Sequence, residues 1–353
     1  MQSLDEKKRD IFEVVGEKGL FSVEKQSIKL SERDLSGTGQ IPVFSSQTSN
    51  NGVMGFTNKV ADFFIKDTPA LIFGDHTKSM DISNHSFCAA DNVKVLRPQN
   101  ISFDALFYVS CAWKKRIPDM GYARHWRKAK KVGIELPVTD SGEPDYAYMA
   151  EYAQQKRNAM LAKYRAYVEA RIAELGEVAE IPALDEKGWR AFHLEEIGTV
   201  TSGRDIYAAE RVKGNTPYIT SGGTNNGVGY FVGNINDTLD SGYIALNRNG
   251  TVGKAFYHPS KSLMGNDCRK IHLKDADRNL FVGQFVSLCL SMQSECFSYS
   301  RKLGTARAKR MQVMLPVTDS GEPDYEYMEQ YSKNMMLRKY QQYLTFLQQR
   351  SNA

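Results

Sequence analysis

The stretch LPVTDSGEPDY occurs at Leu136–Tyr146 and again, letter for letter, at Leu315–Tyr325 in a chain of 353 residues. Identity over this length does not arise by chance, so the chain is predicted to contain a duplicated unit. Three further segments recur in the same order: LDEK at 4–7 and 184–187, IPVFSSQTSNNGV at 41–53 with TPYITSGGTNNGV at 216–228, and GYAR at 121–124 with GTAR at 304–307. The segments between them differ, which predicts one scaffold used twice with different variable surfaces.

The composition is that of a globular protein with two domains. Hydrophobic residues make up 41% of the chain and the formal net charge is +5, so each half can bury a core of its own. The chain lacks a leader-like start and an apolar run of ~18 residues, which predicts a cytoplasmic protein. Its five cysteines show no CxxC spacing, so we expect reduced core thiols and no metal site.

Each repeat of LPVTDSGEPDY is followed by a long helix. Residues 146–175 and 325–350 lack Pro and Gly and are rich in helix-forming residues, whereas the segments before them have the texture of strands and loops. The fold class is therefore α+β: two tandem strand-rich units, each followed by a long α-helix, related by a pseudo-two-fold internal repeat. The helices are predicted to pack on each other as an antiparallel coiled coil; the alternative is that each helix packs on its own half. The stripe assigned to this interface comprises Met149, Tyr152, Met160, Tyr164, Tyr167, Met328, Tyr331, Met336, Tyr340, Tyr343 and Leu347.

A search for catalytic motifs finds none that is complete. GTVGKA at 250–255 lacks the first glycine and the final hydroxyl residue of a phosphate-binding loop. His76 follows Asp75 and has the side chain of a general base, but a polar role in a loop explains it better. We therefore expect no catalytic residue in this chain.

Basic residues cluster at the same point of each repeat. Residues 113–131 contain eight Lys or Arg against one Asp, interleaved with aromatic residues, and residues 299–310 contain five basic residues and no acid. Such segments suit contact with DNA phosphates, although a charge run is also typical of a solvated face. The residues assigned to this contact are Lys114, Lys115, Arg116, Arg124, Arg127, Lys128, Arg301, Lys302, Arg307, Lys309 and Arg310.

Several Gly-rich loops carry groups that bind base edges. Asn and Gln fit adenine, Arg and Lys fit guanine, and Gly permits close approach of the backbone. The residues assigned to this role are Gln47, Thr48, Asn50, His76, Lys78, Thr220, Thr224, Asn225, Arg248, Asn249, Thr251 and Lys254. Turns use the same residue types, and the two NNG motifs are interpreted as structural turns.

These motifs, in this order, resemble the specificity subunits of restriction-modification systems. The resemblance rests on TPYITSGGTNNGVGYF, IALNRNGTVGKAFYHP, NDCRKIHL and the GTAR segment of the second half, with looser counterparts in the first. It implies target-recognition domains at 1–145 and 179–324 and spacer helices at 146–178 (with the linker) and 325–353. It further implies a bipartite double-stranded DNA target with a fixed gap. Methyltransferase or fused nuclease-methyltransferase partners would perform the catalysis, in a type I or type IIB system.

No cofactor is expected on this chain; the resemblance implies S-adenosylmethionine and Mg²⁺ on the partner subunits. Two alternatives stay open. A self-sufficient nucleic-acid-modifying enzyme would turn over as a pure chain, and a coiled-coil scaffold with duplicated protein- or glycan-binding domains would tolerate reversal of the basic charges.

Overall fold

The computed structural model describes residues 6–25, 29–59, 69–121, 123–276, 278–297 and 302–351. The chain divides into two compact units, residues 1–164 and 165–353. The division falls inside the first long helix, whose last turns belong to the second unit. In the described residues, no helix is long and apolar enough to cross a membrane.

The first half contains nine strands and three helices among its described residues. The strands are β1 Arg9–Phe12, β2 Phe21–Val23, β3 Ile41–Phe44, β4 Val53–Thr57, β5 Ala70–Gly74, β6 Met80–Ser83, β7 Cys88–Ala89, β8 Val93–Pro98 and β9 Ile134–Pro137. The helices are α1 Phe103–Arg116, α2 Trp126–Ala129 and α3 Tyr146–Leu175.

The second half repeats this plan and adds one short helix. Its strands are β10 Trp189–His193, β11 Gly198–Ser202, β12 Lys213–Ile219, β13 Val228–Val232, β14 Tyr243–Asn247, β15 Ala255–His258, β16 Leu263–Met264, β17 Cys268–Leu273 and β18 Gln312–Pro316. Its helices are α4 Leu194–Ile197, α5 Leu280–Met292, α6 Thr305–Lys309 and α7 Tyr325–Ser351.

The sheets of the two halves have the same connectivity. The four-stranded sheet has the order β2-β8-β5-β6 in the first half and β11-β17-β14-β15 in the second. The three-stranded sheets are β4-β3-β7 and β13-β12-β16, with one parallel pair in each, and the two-stranded sheets are β1-β9 and β10-β18. The predicted α+β class and the internal duplication are confirmed.

The repeated LPVTDSGEPDY forms the same turn and helix cap in both halves. Thr139 N donates to Glu143 O at 2.9 Å across a turn in which Gly142 has a φ of 85°. Asp145 then caps α3, because its carboxylate accepts a hydrogen bond from Tyr148 N at 3.0 Å. Pro144, the second proline of this stretch, precedes the capping aspartate and lies outside the helix.

The repeated LDEK segment contributes a partner to this cap. Lys7 Nζ lies 2.7 Å from the Asp145 carboxylate, and Lys187 Nζ lies 2.8 Å from the Asp324 carboxylate. The lysines also lie over the rings of Tyr148 and Tyr327, at 5.1 and 5.0 Å. Two repeated islands, separate in sequence, therefore form one ion-paired junction in each half.

The first turns of both long helices pack on their own halves. Met149 and Met328 are fully buried in the cores of the first and second half. The ring of Tyr152 packs edge to face on Tyr108 of α1 at 5.6 Å, and the ring of Tyr331 packs edge to face on Phe285 of α5 at 5.7 Å. For these four stripe residues the structure corrects the prediction of a helix pair, because the cap at each helix start holds the first turns against the preceding domain.

Further along the chain, the last turns of α3 and the linker that follows contact α7 within the second unit, and they run antiparallel to it. The ring of Tyr167 lies 6.3 Å from that of Tyr340, and Asn334 bonds both backbone groups of Ala179. The hydroxyl of Tyr327 donates to a carbonyl of the linker, so contacts move down α7 as the chain advances. The remaining stripe residues are exposed on α3 (Met160, Tyr164) or half-buried on α7 (Met336, Tyr343, Leu347).

Candidate nucleic-acid interface

Two pairs of loops, one pair in each half, carry the residues predicted to contact base edges. We call residues 45–52 and 74–79 the first loop pair, and residues 220–227 and 247–254 the second loop pair. In both pairs a threonine of the later loop donates its hydroxyl to a serine carbonyl of the earlier loop. The repeated sequence therefore builds the same joined surface twice.

In the second loop pair this bond is part of a small network. Thr251 Oγ1 donates to Ser221 O at 3.0 Å, and the Nδ2 of Asn247 donates to Thr251 Oγ1 at 2.8 Å and to Gly222 O at 3.1 Å. Asn247 is completely buried at the end of β14. Thr251, predicted to contact bases, thus also joins the two loops.

The first loop pair has the same bond with different neighbours. Thr77 Oγ1 donates to Ser46 O at 2.8 Å, and the backbone N–H of His76 donates to Ser46 Oγ at 3.1 Å. His76, Gln47 and Thr77 line a surface cavity of about 850 Å³. Lys78 lies at the edge of this loop, where its ammonium is 3.5 Å from the carboxylate of Asp119.

The NNG motifs are turns, as interpreted from the sequence. Both asparagines of each motif have positive φ values near 50°, the left-handed region that asparagine tolerates. Gln47 Nε2 donates to Val53 O at 2.7 Å, and Asn50 Nδ2 donates to the same oxygen at 2.9 Å. Thr220 Oγ1 donates to Gly227 O at 3.1 Å. In this structure the turn itself uses these three donors, and their assignment to base edges stays a prediction.

Four predicted residues remain on the outer side of the loops. Thr48, Thr224, Asn225 and Lys254 are exposed. Asn249 is half-buried, and its Nδ2 donates to the Asp267 carboxylate at 3.3 Å. Side chains with this exposure next to a rigid loop pair suit direct contact with base edges.

The tryptophans of the first basic segment lie in the core. Trp113 is fully buried and its ring lies 5.4 Å from that of Phe73, while Trp126 packs on the same phenylalanine at 5.6 Å. Their interleaving with basic residues reflects helix geometry, because neighbours in sequence point to different sides of a helix. The two tryptophans of this segment therefore pack in the domain, and the phosphate contact stays assigned to the basic residues around them.

The basic residues of the first half separate into two groups. Trp126 N donates to the Asp75 carboxylate at 2.7 Å, so α2 with the exposed Arg127 and Lys128 adjoins the first loop pair. Asp91 lines the cavity there. A hydrogen bond from Lys29 lowers the pKa of the Asp91 carboxyl, and the positive charge of the exposed Arg124 also lowers it.

Lys114, Lys115 and Arg116 form the last turn of α1. Burial raises the pKa of Asp81, which lies beside Gly52 of the NNG turn, and the charge of Lys114 opposes that rise, so this lysine lies near Asp81. Lys115 and Arg116 instead line a groove of about 760 Å³ between α1 and α3. The structure therefore does not bring all the predicted phosphate contacts to one surface.

In the second half, α6 takes the place of α2. Leu303 N donates to Arg248 O at 3.2 Å, and Thr305 Oγ1 lies 3.2 Å from Ser202 Oγ, so α6 adjoins the second loop pair. Arg307, Lys309 and Arg310 are exposed there, and Arg307 donates to the carbonyl of Lys302, which is half-buried. Arg301 lies outside the described residues.

The register of the repeat at these helices differs from the sequence alignment. Ala129 N donates to His125 O, and Ala308 N donates to Gly304 O, so His125 and Gly304 are equivalent. GTAR therefore corresponds to HWRK at 125–128, and GYAR precedes α2. The similarity of GYAR to GTAR is therefore misleading, and the backbone hydrogen bonds define which residues correspond.

One loop of this surface was missed in the sequence. The Asp205 carboxylate accepts a hydrogen bond from Asn266 N at 2.8 Å, which brings residues 202–211 beside the second loop pair. The guanidinium of Arg211 lies 3.7 Å from the ring centre of Tyr230, and Tyr207 is exposed. The arginines and the tyrosine of this loop were a signal in the sequence for a binding surface. Its position beside the second loop pair could not be read from the sequence, because Asp205 and Asn266 lie about sixty residues apart.

Cysteines and metal ligands give no further site in the described residues. Cys88 and Cys268 are buried as predicted, but Cys111 and Cys296 are exposed, so the prediction of core thiols is wrong for these two. No group of three or more His, Cys, Asp or Glu side chains in this part of the chain is arranged to hold a metal ion.

Comparisons with known proteins agree with this architecture. Residues 186–344 match the family described as type I restriction modification DNA specificity domain. Over 270 residues the chain is 26% identical to the type II restriction enzyme BgcI specificity subunit S.BcgI of Heyndrickxia coagulans, which covers 76% of this chain and 77% of that protein. The crystal structure of the S subunit of a type I restriction-modification system from M. genitalium has a similar fold. Its TM-score is 0.51 at 14% identity, over 99% of this chain and 94% of that one.

Proposed function

We propose that this chain is a specificity subunit of a restriction-modification system, a proposal that its similarity to such subunits supports, and that it recognises a bipartite double-stranded DNA target with a fixed gap. Specificity subunits are the DNA-recognition components of these systems and are not catalytic. Each half contacts one part of the target through its loop pair.

The observation that carries this proposal is the pair of matching loop junctions. The Ser46–Thr77 and Ser221–Thr251 bonds hold the same frame, at 2.8 and 3.0 Å. The side chains on the frame differ between the halves, as Asp75 follows β5 and Arg248 follows β14. A common frame with different side chains is what two recognition sites for different base sequences require.

Base selection is assigned to the exposed residues of the loops. Thr48 contacts bases in the first half-site together with the half-buried His76, which lines the cavity there, and Thr224 and Asn225 do so in the second. Phosphate contacts come from α2 and α6, whose exposed basic residues flank the loops. The long helices, of 30 and 27 residues, extend about 45 and 40 Å and define the unspecified gap.

Catalysis belongs to recruited partners in this proposal. The chain recruits a DNA methyltransferase, or a fused nuclease-methyltransferase, which uses S-adenosylmethionine and Mg²⁺. The exposed stretches of the long helices, including Met160 and Tyr164, support such recruitment because large apolar side chains in water favour a partner.

The test uses the chain purified from its own cells with partners attached. Duplexes that bind from a random library are selected and sequenced. Two short motifs at one constant separation support the proposal and give the gap. A single contiguous motif contradicts the bipartite target, and no enrichment favours the scaffold with duplicated protein- or glycan-binding domains.

Matched variants then assign each motif to a half. Substitution of His76 is expected to alter only one of the two selected DNA motifs, and substitution of Asn225 is expected to alter only the other. If either exchange alters both motifs, or neither, the assignment of one half-site to each loop pair is wrong.

A further inference from the structure

Two arginines of the second half converge on one carbonyl oxygen. Arg248 follows β14 and donates from NH1 to Asn266 O at 3.2 Å. Arg269 lies in the neighbouring strand β17 and donates from NH1 to the same oxygen at 2.8 Å and to Cys268 O at 2.7 Å. Because both donors share an acceptor, the two guanidinium groups lie side by side.

Within the described part of the chain, no carboxylate lies within salt-bridge distance of either guanidinium group. Neither arginine forms an ion pair there, and the nearby Asp267 carboxylate accepts a hydrogen bond from Asn249 instead. Arg269 is only 5% exposed, and its Nε has no hydrogen-bond partner among the described residues. Burial lowers the pKa of Arg269 and the charge of Arg248 lowers it further, while the negative charge of Asp267 opposes this shift without reversing it. Two adjacent cations, one of them buried, call for an anionic ligand.

The first half does not need such a pair at the same place. Phe73 of β5 pairs with Lys94 just as Leu246 of β14 pairs with Arg269, so Lys94 is the counterpart of Arg269. Asp75 stands at the position of Arg248, and its carboxylate accepts a hydrogen bond from Trp126 N. The same scaffold thus folds with one acid and one base, and the arginine pair serves something other than the fold.

The pair lies on the surface that faces DNA under the proposed function. Arg248 belongs to the second loop pair, and its carbonyl accepts the hydrogen bond that positions the start of α6. Gly250, next but one, has a φ of 56° and leaves the loop without a bulky side chain.

We propose that Arg248 binds a backbone phosphate of the DNA, with Arg269 behind it as the positioning residue. This inference rests on the proposed function and refines it: the second half carries a built-in phosphate anchor that the first half lacks. A phosphate suits the pair better than a guanine edge, because a base edge is neutral and leaves both charges unbalanced. The anchor sets the register of the second domain on the duplex, and the exposed loop residues select the bases.

The test measures the salt dependence of affinity for the duplex that the wild-type complex selects. Arg248→Gln is expected to reduce the slope of log K against log salt by about 0.9, so between 50 and 200 mM salt the wild type loses about 3.5-fold more affinity than the variant. Arg269→Lys keeps the charge and retains most of the slope, whereas Arg269→Gln matches Arg248→Gln. Lys274→Gln, which removes a charge at the opposite end of β17, is the control and leaves the slope unchanged.

A second measurement guards against a folding defect in the Arg269 variants. Duplexes with a single neutral methylphosphonate are scanned across the second half-site. The wild type is expected to lose affinity at one position, and Arg248→Gln to show no loss there.

An unchanged slope with Arg248→Gln, or altered base selection without a change in slope, overturns the phosphate assignment while leaving DNA recognition intact. If the wild-type complex selects no duplex at all, the proposed function fails and this inference fails with it.

Discussion

The bond that joins the loops of each half gives a prediction that can be tested in matched pairs. Thr251→Val and Thr77→Val each remove one hydroxyl and keep the side-chain shape. Thr251 Oγ1 takes part in two hydrogen bonds, with Ser221 O and Asn247 Nδ2, at 3.0 and 2.8 Å. Thr77 Oγ1 takes part in bonds to Ser46 O at 2.8 Å and from Ser79 N at 3.2 Å.

The expected cost follows from these bonds. A typical hydrogen bond contributes about 1 kcal/mol net, and Thr251 is exposed, so we expect each variant to lose about 1–2 kcal/mol. The loss falls on the unit that contains the variant. For domains of this size, about 1 kcal/mol lowers the Tm by about 2–4 °C, so the affected unit is expected to melt about 2–8 °C earlier.

Function is expected to divide in the same way. Loosening the second loop pair with Thr251→Val should relax base selection in the second half-site and leave the first unchanged. Thr77→Val should do the reverse. The assay combines thermal unfolding with duplex selection from a random library, and Ser320→Ala, in the exposed turn before α7, serves as a control for the loss of one hydroxyl.

Two results would refute the reasoning. If both variants blur both half-sites equally, the loop pairs do not act separately. If selection is unchanged although the Tm falls, the threonine bond stabilises the fold without shaping the recognition surface.

Three other predictions follow from the same structure. Lys128→Glu and Arg307→Glu, at equivalent positions on α2 and α6, should each weaken DNA binding at every sequence and reduce the salt slope by at least about 0.9, measured by gel shift; dependence on sequence would contradict a phosphate contact. Burial lowers the pKa of His258 to about 4; since the unfolded chain binds this proton below about 6.5, the free energy of unfolding should fall by about 2 kcal/mol between pH 7 and 5, and His258→Gln should remove that decrease in urea titrations. Asp145→Ala and Asp324→Ala, which remove the matching helix caps, should each cost about 1–2 kcal/mol in their own unit; clearly unequal losses would show that the identical stretches are not energetically equivalent.

Much of the fold could be predicted from local sequence. Helix-forming residues without Pro or Gly after each GEPDY predicted α3 and α7, and the two NNG motifs were predicted to be turns, which the structure confirms. These features depend on residues within a few positions of one another, where backbone preference and capping decide the conformation. The duplication was equally evident, because eleven identical residues specify the same turn and cap wherever they occur.

Side-chain direction was harder to predict. Trp113 adjoins three basic residues in sequence but points into the core, and Lys114 and Lys115 diverge to different surfaces. Met149 and Met328 lie at regular places in a helical stripe, yet they bury against their own domains. Periodicity defines a helix face, but it does not identify what covers that face.

The sequence by itself determined that the chain holds two copies of one α+β scaffold, each ending in a long helix, with loops of differing composition. Tertiary structure alone decided that Lys7 meets Asp145, that Asp205 meets Asn266, and that Arg248 and Arg269 share an oxygen. The physical reason is the range of the interactions. Turns and helices form from neighbouring residues, whereas a binding surface forms where strands far apart in the chain are brought side by side, and only the packed sheets specify which residues meet there.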